Sequence, residues 1–331
     1  MQLTQYFRWV ALTAMVLLSL LSCKKTEEEE VKPDSMSGTI VFDVPYYVLK
    51  GETVTMTASG VIYPKEVAYR WFISSVYPDS LSRRTITVQF PDSLGVFTVT
   101  AQASASGFYS ASTSRLVTTI DTARGSSLSG IKPSEFQIED ERDGHVYDYV
   151  TAGDLDWFSQ NLSWQGMGVP FRSSPATADM FGSFYTWEEA TKGDICPEGW
   201  RVPTNEDWVS LAAVLNDGTP LPFVDNWAGL GTKASADAYL NENRMWPYSP
   251  DNTHTNDIGW NALPLGYTFT NTLDFSGLNS YGCWWSATEK DDAQAYYRYI
   301  WYDRGDFPMA YTGKDDMRAS VRCVRTHPQS W

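Results

Sequence analysis

Between residues 37 and 120, apolar and polar positions alternate in short runs separated by turn residues, and this period of two predicts an all-β sandwich. Residues 51–58 and 95–101 alternate most regularly, so each predicts a strand with one face on the core and one in water. Residues 67–73 predict a further strand with Trp71 as its core residue, and 91–95 a turn. Residues 121–130 are small, polar and glycine-rich, which predicts a linker and a hinged stalk.

Beyond residue 130 the pattern changes. Thr186 with Glu189 forms a capping box for a short helix starting at Trp187. Thr204 with Asp207 opens a longer helix whose Trp208, Leu211, Ala212 and Leu215 stand at i, i+3, i+4 and i+7, the spacing of a core face. Residues 295–302 and 307–311 flank Asp303-Arg304-Gly305-Asp306 and predict a hairpin, with a final strand over 320–325.

The N-terminus predicts an address rather than a fold. Residues 9–21 are apolar, Arg8 precedes them and Ser22-Cys23 follows, the plan of a signal sequence. The run is shorter than the roughly 20 residues that span a bilayer. Leu20-Leu21-Ser22-Cys23 resembles a bacterial lipobox, in which the cysteine becomes the lipid-modified first residue; a plain secretory signal is the alternative. Residues 24–30, with Glu27 to Glu30, predict a solvated tether over 23–36 and resemble the acidic export signal of Bacteroidetes surface lipoproteins. The expected location is therefore the outer membrane, lipid-anchored and facing the cell exterior; if the acidic run is only a spacer, the protein faces the periplasm instead.

The formal net charge is −15, and removing residues 1–22 takes away Arg8 alone, leaving −16. Nucleic acid is excluded as a partner on this ground, because no basic stripe is available to displace phosphate counterions. Four cysteines become three once Cys23 carries lipid, and an oxidising compartment favours a disulfide between two of them over three reduced, buried thiols. His145, His254 and His327 lack metal-ligand spacing, and Asp291-Asp292 and Asp315-Asp316 have the composition of solvated loops. No cofactor, metal or catalytic residue is expected. Arg304-Gly305-Asp306 would suit an adhesion motif at a hairpin tip, but chance recurrence and turn composition account for it better.

Two resemblances extend this reading. Residues 37–120 resemble the PKD-like and immunoglobulin-like modules of bacterial surface proteins. The C-terminal residues Asp143-Gly144-His145-Val146-Tyr147, Cys196-Pro197-Glu198-Gly199-Trp200-Arg201-Val202-Pro203-Thr204, Trp284-Trp285-Ser286 and Val321-Arg322-Cys323-Val324 resemble the Fibrobacter succinogenes major paralogous domain. That resemblance spans 131–325, leaves a tail at 326–331, and implies an α+β, C-type-lectin-like domain linked by Cys196 and Cys323, with Cys283 odd. It implies no established activity. The likeness extends to formylglycine-generating enzymes, but their oxidase chemistry needs a cysteine pair that Cys283 cannot supply alone. Arg201 is expected to pair with a buried carboxylate or with carbonyl groups. Of Trp284 and Trp285, one is expected in the core and the other outside or beneath a loop.

The functional expectation is a non-catalytic module that binds extracellular glycan or a surface protein. Sugars stack their apolar faces on flat rings and need amide and carboxylate partners for their hydroxyls. Residues 221–260 mix both kinds of group, which nominates Trp227, Trp246, Tyr248 and Trp260 with Asp225 and Asn226. A protein-binding adhesin or envelope-assembly subunit is the main alternative, favoured if those rings form a satellite core.

Overall fold

The computed structural model describes residues 32–164 and 166–328. The apolar leader, Cys23 and the acidic run at 27–30 lie outside the described residues. Among the described residues no helix is long and apolar enough to cross a membrane.

Strands β1 (Ser37–Phe42), β2 (Tyr47–Leu49), β3 (Thr53–Tyr63), β4 (Ala68–Ile73), β5 (Tyr77–Leu81), β6 (Thr85–Gln89), β7 (Gly95–Ser104) and β8 (Ala111–Ile120) build the first domain. They form two sheets, ordered β1-β3-β6 and β2-β8-β7-β4-β5. The period of two does the sorting. Val54, Met56 and Ala58 of β3 meet Trp71 and Ile73 of β4 and Val99 and Ala101 of β7 in a single core. On the wet face of β3, Thr55 and Thr57 bond across to Thr87 and Thr85 at 2.8 and 2.9 Å. Trp71 is fully buried, meets Phe42 edge-on at 5.3 Å, and donates its indole N–H to the Arg83 carbonyl.

The expected hinge is not what residues 121–130 form. Leu128–Ser129 is a strand, β9, paired with Tyr239–Leu240, and Ser127 and Leu128 are buried. Asn241 Nδ2 donates to the Thr119 carbonyl at 2.8 Å, and Lys50 pairs with Asp121 at 2.8 Å. On the other side of the junction, the Tyr47 amide donates to Ser174 Oγ at 3.1 Å and the Arg172 guanidinium lies 3.7 Å from the Tyr46 ring centroid. Small polar residues permit a flexible linker, but here the backbone of 127–129 is bonded to the second domain and the Asp121 side chain to the first, so the junction is pinned at several points.

The second domain is organised by a nine-stranded sheet. Strands β10 (Phe136–Glu139), β11 (Val146–Ala152) and β12 (Leu155–Phe158) form a separate sheet, as β13 (Val169–Pro170) and β14 (Ser183–Tyr185) begin the large one. Along the chain follow β15 (Asn226–Trp227), β16 (Tyr239–Leu240), β17 (Asn243–Arg244), β18 (Tyr267–Phe269), β19 (Phe275–Ser276), β20 (Tyr281–Glu289), β21 (Gln294–Trp301), β22 (Phe307–Gly313), β23 (Met317–Ser320) and β24 (Val324–Thr326). The main path of the large sheet is β13-β14-β23-β20-β21-β22-β15.

Both capping boxes are present, at Thr186/Glu189 and Thr204/Asp207, and they open helices at Trp187–Thr191 and Asn205–Leu215. The stripe Trp208, Leu211, Ala212 and Leu215 is buried as its spacing requires. Arg201 forms a two-pronged pair with Asp207, whose carboxylate also receives the Thr204 amide at 2.7 Å. Burial alone would raise the Asp207 carboxyl, but Arg201 and the Thr204 amide hold it below the usual carboxylate range.

Two local expectations are corrected. Trp284 and Trp285 do point to opposite faces of β20, yet both are buried, because the sheet is covered on each side. Trp285 packs with Tyr281, Cys283 and Trp187 on one side; Trp284 packs with Trp260, Ile300 and Phe307 on the other. The strand expected over 320–325 is two strands: β23 ends in the large sheet, and β24 joins β12 in the smaller one. Between them Arg322 is buried and bonds Asn161 Oδ1 and the carbonyls of Phe158, Trp260 and Asn261. Cys196 and Cys323 are joined, and Cys283 is a free, buried thiol.

Candidate functional site

The hairpin β21-β22 brings a partly exposed ring beside polar groups in one groove. Along β21, Tyr297, Tyr299 and Trp301 share a face because residues two apart in a strand point the same way. Toward the sheet interior that face is covered: Tyr297 meets Trp285 at 5.9 Å and Tyr299 meets Tyr281 at 5.1 Å. At the strand end the cover runs out. Trp301 touches Tyr281 edge-on at 5.3 Å and keeps 38 % of its surface exposed.

β15 aligns beside β22, with Asn226 opposite Pro308 and the Met309 amide bonded to the Asp225 carbonyl at 2.7 Å. This pairing brings Asp225 and Asn226 to the same open groove as Tyr299, Trp301, Arg304 and Asp306, a concavity of about 520 Å³. Asn226 Nδ2 donates to Asp306 Oδ2 at 3.0 Å, which ties β15 to the hairpin tip. Carboxylates accept and the guanidinium and amide donate, so the rim offers both halves of a hydrogen-bonding set beside an apolar ring.

The residues nominated from sequence divide sharply. Asp225 and Asn226 line the groove. Tyr248 is 77 % exposed but is not among its lining residues. Trp227, Trp246 and Trp260 are buried, which corrects their assignment as stacking platforms. Each has a specific cover. Trp227 lies under the Arg298 guanidinium, 3.5 Å from its ring centroid, and donates its N–H to the Pro222 carbonyl. Trp246 stacks on His254 at 4.9 Å, and Trp260 is enclosed by Trp157, Trp208, Trp284 and Phe307. They belong to the same core as Trp157, Trp208 and Trp284, so the alternative of a core role for these loop rings applies, though not as a separate cluster.

Sequence reasoning overlooked Tyr299 and Trp301, although the run Tyr297-Arg298-Tyr299-Ile300-Trp301 carries the signal: three aromatics at alternate positions leading into a polar turn. Arg298, on the opposite face, bonds the carbonyls of Phe307 and Val224 at 3.2 and 3.1 Å. Burial pushes its pKa down to about 9, with Asp225 acting the other way.

A second concavity of about 360 Å³ lies where residues 122–125 pass over the second domain. Its charged groups are largely paired internally: Arg124 with Asp148 at 2.5 Å, His145 with Asp179 at 3.6 Å, and Arg322 with Asn161 at its floor. Such groups have little capacity left for a ligand. Among the described residues no group of three or more His, Cys, Asp or Glu is placed to hold a metal ion. His254 Nδ1 lies 2.7 Å from Ser235 Oγ, but both side chains are buried.

No curated protein matches the chain. Residues 150–325 match the model of the Fibrobacter succinogenes major domain, a span running from within β11 to within β24 and including the groove, the disulfide and both capped helices. With more than half of its length covered by that match, the chain belongs to the Fibrobacter succinogenes major domain family.

Proposed function

We propose that this chain is a non-catalytic surface lipoprotein, anchored through Cys23 in the outer membrane, whose second domain binds extracellular glycan in the Trp301 groove. In this reading residues 37–120 are an immunoglobulin-like spacer and 131–325 a C-type-lectin-like module. The observation that carries it is the half-open indole of Trp301 beside Asp225, Asn226, Arg304 and Asp306. A pyranose face can lie on that ring while its hydroxyls meet the carboxylate, amide and guanidinium groups. The open form suits a chain end or a branched surface sugar better than an enclosed metabolite.

The burial of Trp227, Trp246 and Trp260 favours the second reading, a protein-binding adhesin or envelope-assembly subunit. A glycan array on the mature chain separates the two. Glycan binding is expected for the wild type and for Tyr248→Ala, and its loss for Trp301→Ala and Asn226→Ala. An array with no bound sugar, or binding indifferent to Trp301→Ala, would reject the groove and favour protein recognition.

A further inference from the structure

The sandwich has two unlike ends. β8 leaves one end toward the second domain, while the chain enters at the other, where the Asp34 amide bonds the Gly107 carbonyl and the Tyr109 amide bonds the Asp34 carbonyl. Ser37 pairs with Tyr63, so the last residues of β3 and the 105–109 turn surround the entry point. This end is apolar where it should be wet: Ile62, Tyr63 and Tyr109 are 74, 58 and 54 % exposed. Tyr63 is braced edge-on against Phe108 at 5.5 Å, which presents its ring outward rather than folding it away.

Beside those residues lies a groove of about 470 Å³ lined by Lys65, Arg70, Arg83 and Arg84, with no carboxylate among its described lining residues. All four cations are exposed. In a chain of net charge −15, these four cations outnumber the exposed carboxylates beside them, Glu66 and Asp34, and leave this end locally positive.

We infer that this end of the sandwich, formed by Ile62, Tyr63 and Tyr109 with Lys65, Arg70, Arg83 and Arg84, seats on the anionic lipid surface that holds the anchor. It rests on reading Cys23 as the lipidated residue. Asp34 is eleven peptide steps from Cys23, so the entry point lies within about 40 Å of the bilayer even if the tether is fully extended. Tyrosine favours the headgroup boundary and isoleucine the apolar layer beneath it, and each basic residue near an anionic surface contributes attraction that salt screens. Seating orients the molecule: the second domain, leaving from the opposite end, is then held away from the membrane.

Vesicle co-sedimentation of the mature chain carrying Cys23→Ser tests this without any acyl contribution. Vesicles of equal parts phosphatidylcholine and phosphatidylglycerol are expected to bind it at least tenfold more tightly than phosphatidylcholine alone. Lys65→Gln with Arg83→Gln should weaken that binding by about 30-fold, from about 1 kcal/mol per basic residue. Ile62→Ser with Tyr63→Ser should weaken it by about tenfold through lost apolar contact. All four positions are exposed, and unchanged thermal unfolding of each variant checks that the fold is intact. Equal binding to both vesicles, or to neither, overturns the inference. Sensitivity to the basic pair alone also overturns it, because a groove that takes a free anion or an acidic peptide needs no apolar neighbours. Normal lipid processing of Cys23 alongside failed vesicle binding would reject the seating and leave the anchor standing.

Discussion

Arg298 lies with its guanidinium 3.5 Å from the centroid of the Trp227 ring and covers one face of that buried indole. The same guanidinium bonds the Phe307 and Val224 carbonyls, so one side chain joins β21, β22 and the 222–227 segment. Arg298→Ala leaves both acceptors unpaired in a buried place and uncovers the ring. A loss of about 3 kcal/mol of unfolding free energy is expected in urea titration followed by tryptophan fluorescence. A midpoint within error of the wild type would mean that the contact contributes nothing to stability.

His254 makes folding sensitive to acid. Desolvation, with Arg244 nearby as a second cause, lowers its pKa from 6.5 to about 4. The unfolded chain therefore takes up this proton first as pH falls. The stabilisation is fully present above about 6.5 and is lost as pH drops toward 4. Urea midpoints measured between pH 7 and 4 should fall more steeply for the wild type than for His254→Phe, which keeps an aromatic partner for Trp246. Parallel curves would remove His254 as the source.

The Cys196–Cys323 bridge closes a sequence separation of 127 residues, for which chain entropy predicts about 5 kcal/mol as an upper value. Cys196→Ala with Cys323→Ala should lower the unfolding midpoint markedly, with Trp200 and Trp285 of the same core reporting the change. Non-reducing peptide mapping should find these two cysteines joined to each other. A peptide linking either to Cys283 would contradict the pairing.

Burial pushes the Cys283 thiol pKa well up, and its Sγ faces the Gly266 carbonyl at 3.6 Å. Alkylation by iodoacetamide is expected only after denaturation, since the thiolate is the nucleophile and the folded site disfavours it. Rapid labelling of the native chain would show that the site opens.

Lipidation at Cys23 has its own measurement. Globomycin should leave the precursor unprocessed, whereas a normal shift to the mature form in its presence would argue for a plain secretory signal.

Much of this molecule is determined close along the chain. The alternation in 37–120 places Trp71 inside, and each capping box is closed within three residues, so both are legible without knowing what lies elsewhere. The pairing of Arg201 with Asp207 is local for the same reason. What tertiary structure alone decided is which rings stay wet. Trp227 is covered by a residue 71 positions away and Trp260 by residues as distant as Trp157, whereas Trp301, read only as part of a hairpin strand, stands where its aromatic ladder ends. The hinge failed similarly, because Ser127 and Leu128 found partners in strand β16 and the loop after it. Periodicity tells a side chain which face it occupies, but whether that face meets water depends on segments that folding brings from far along the chain.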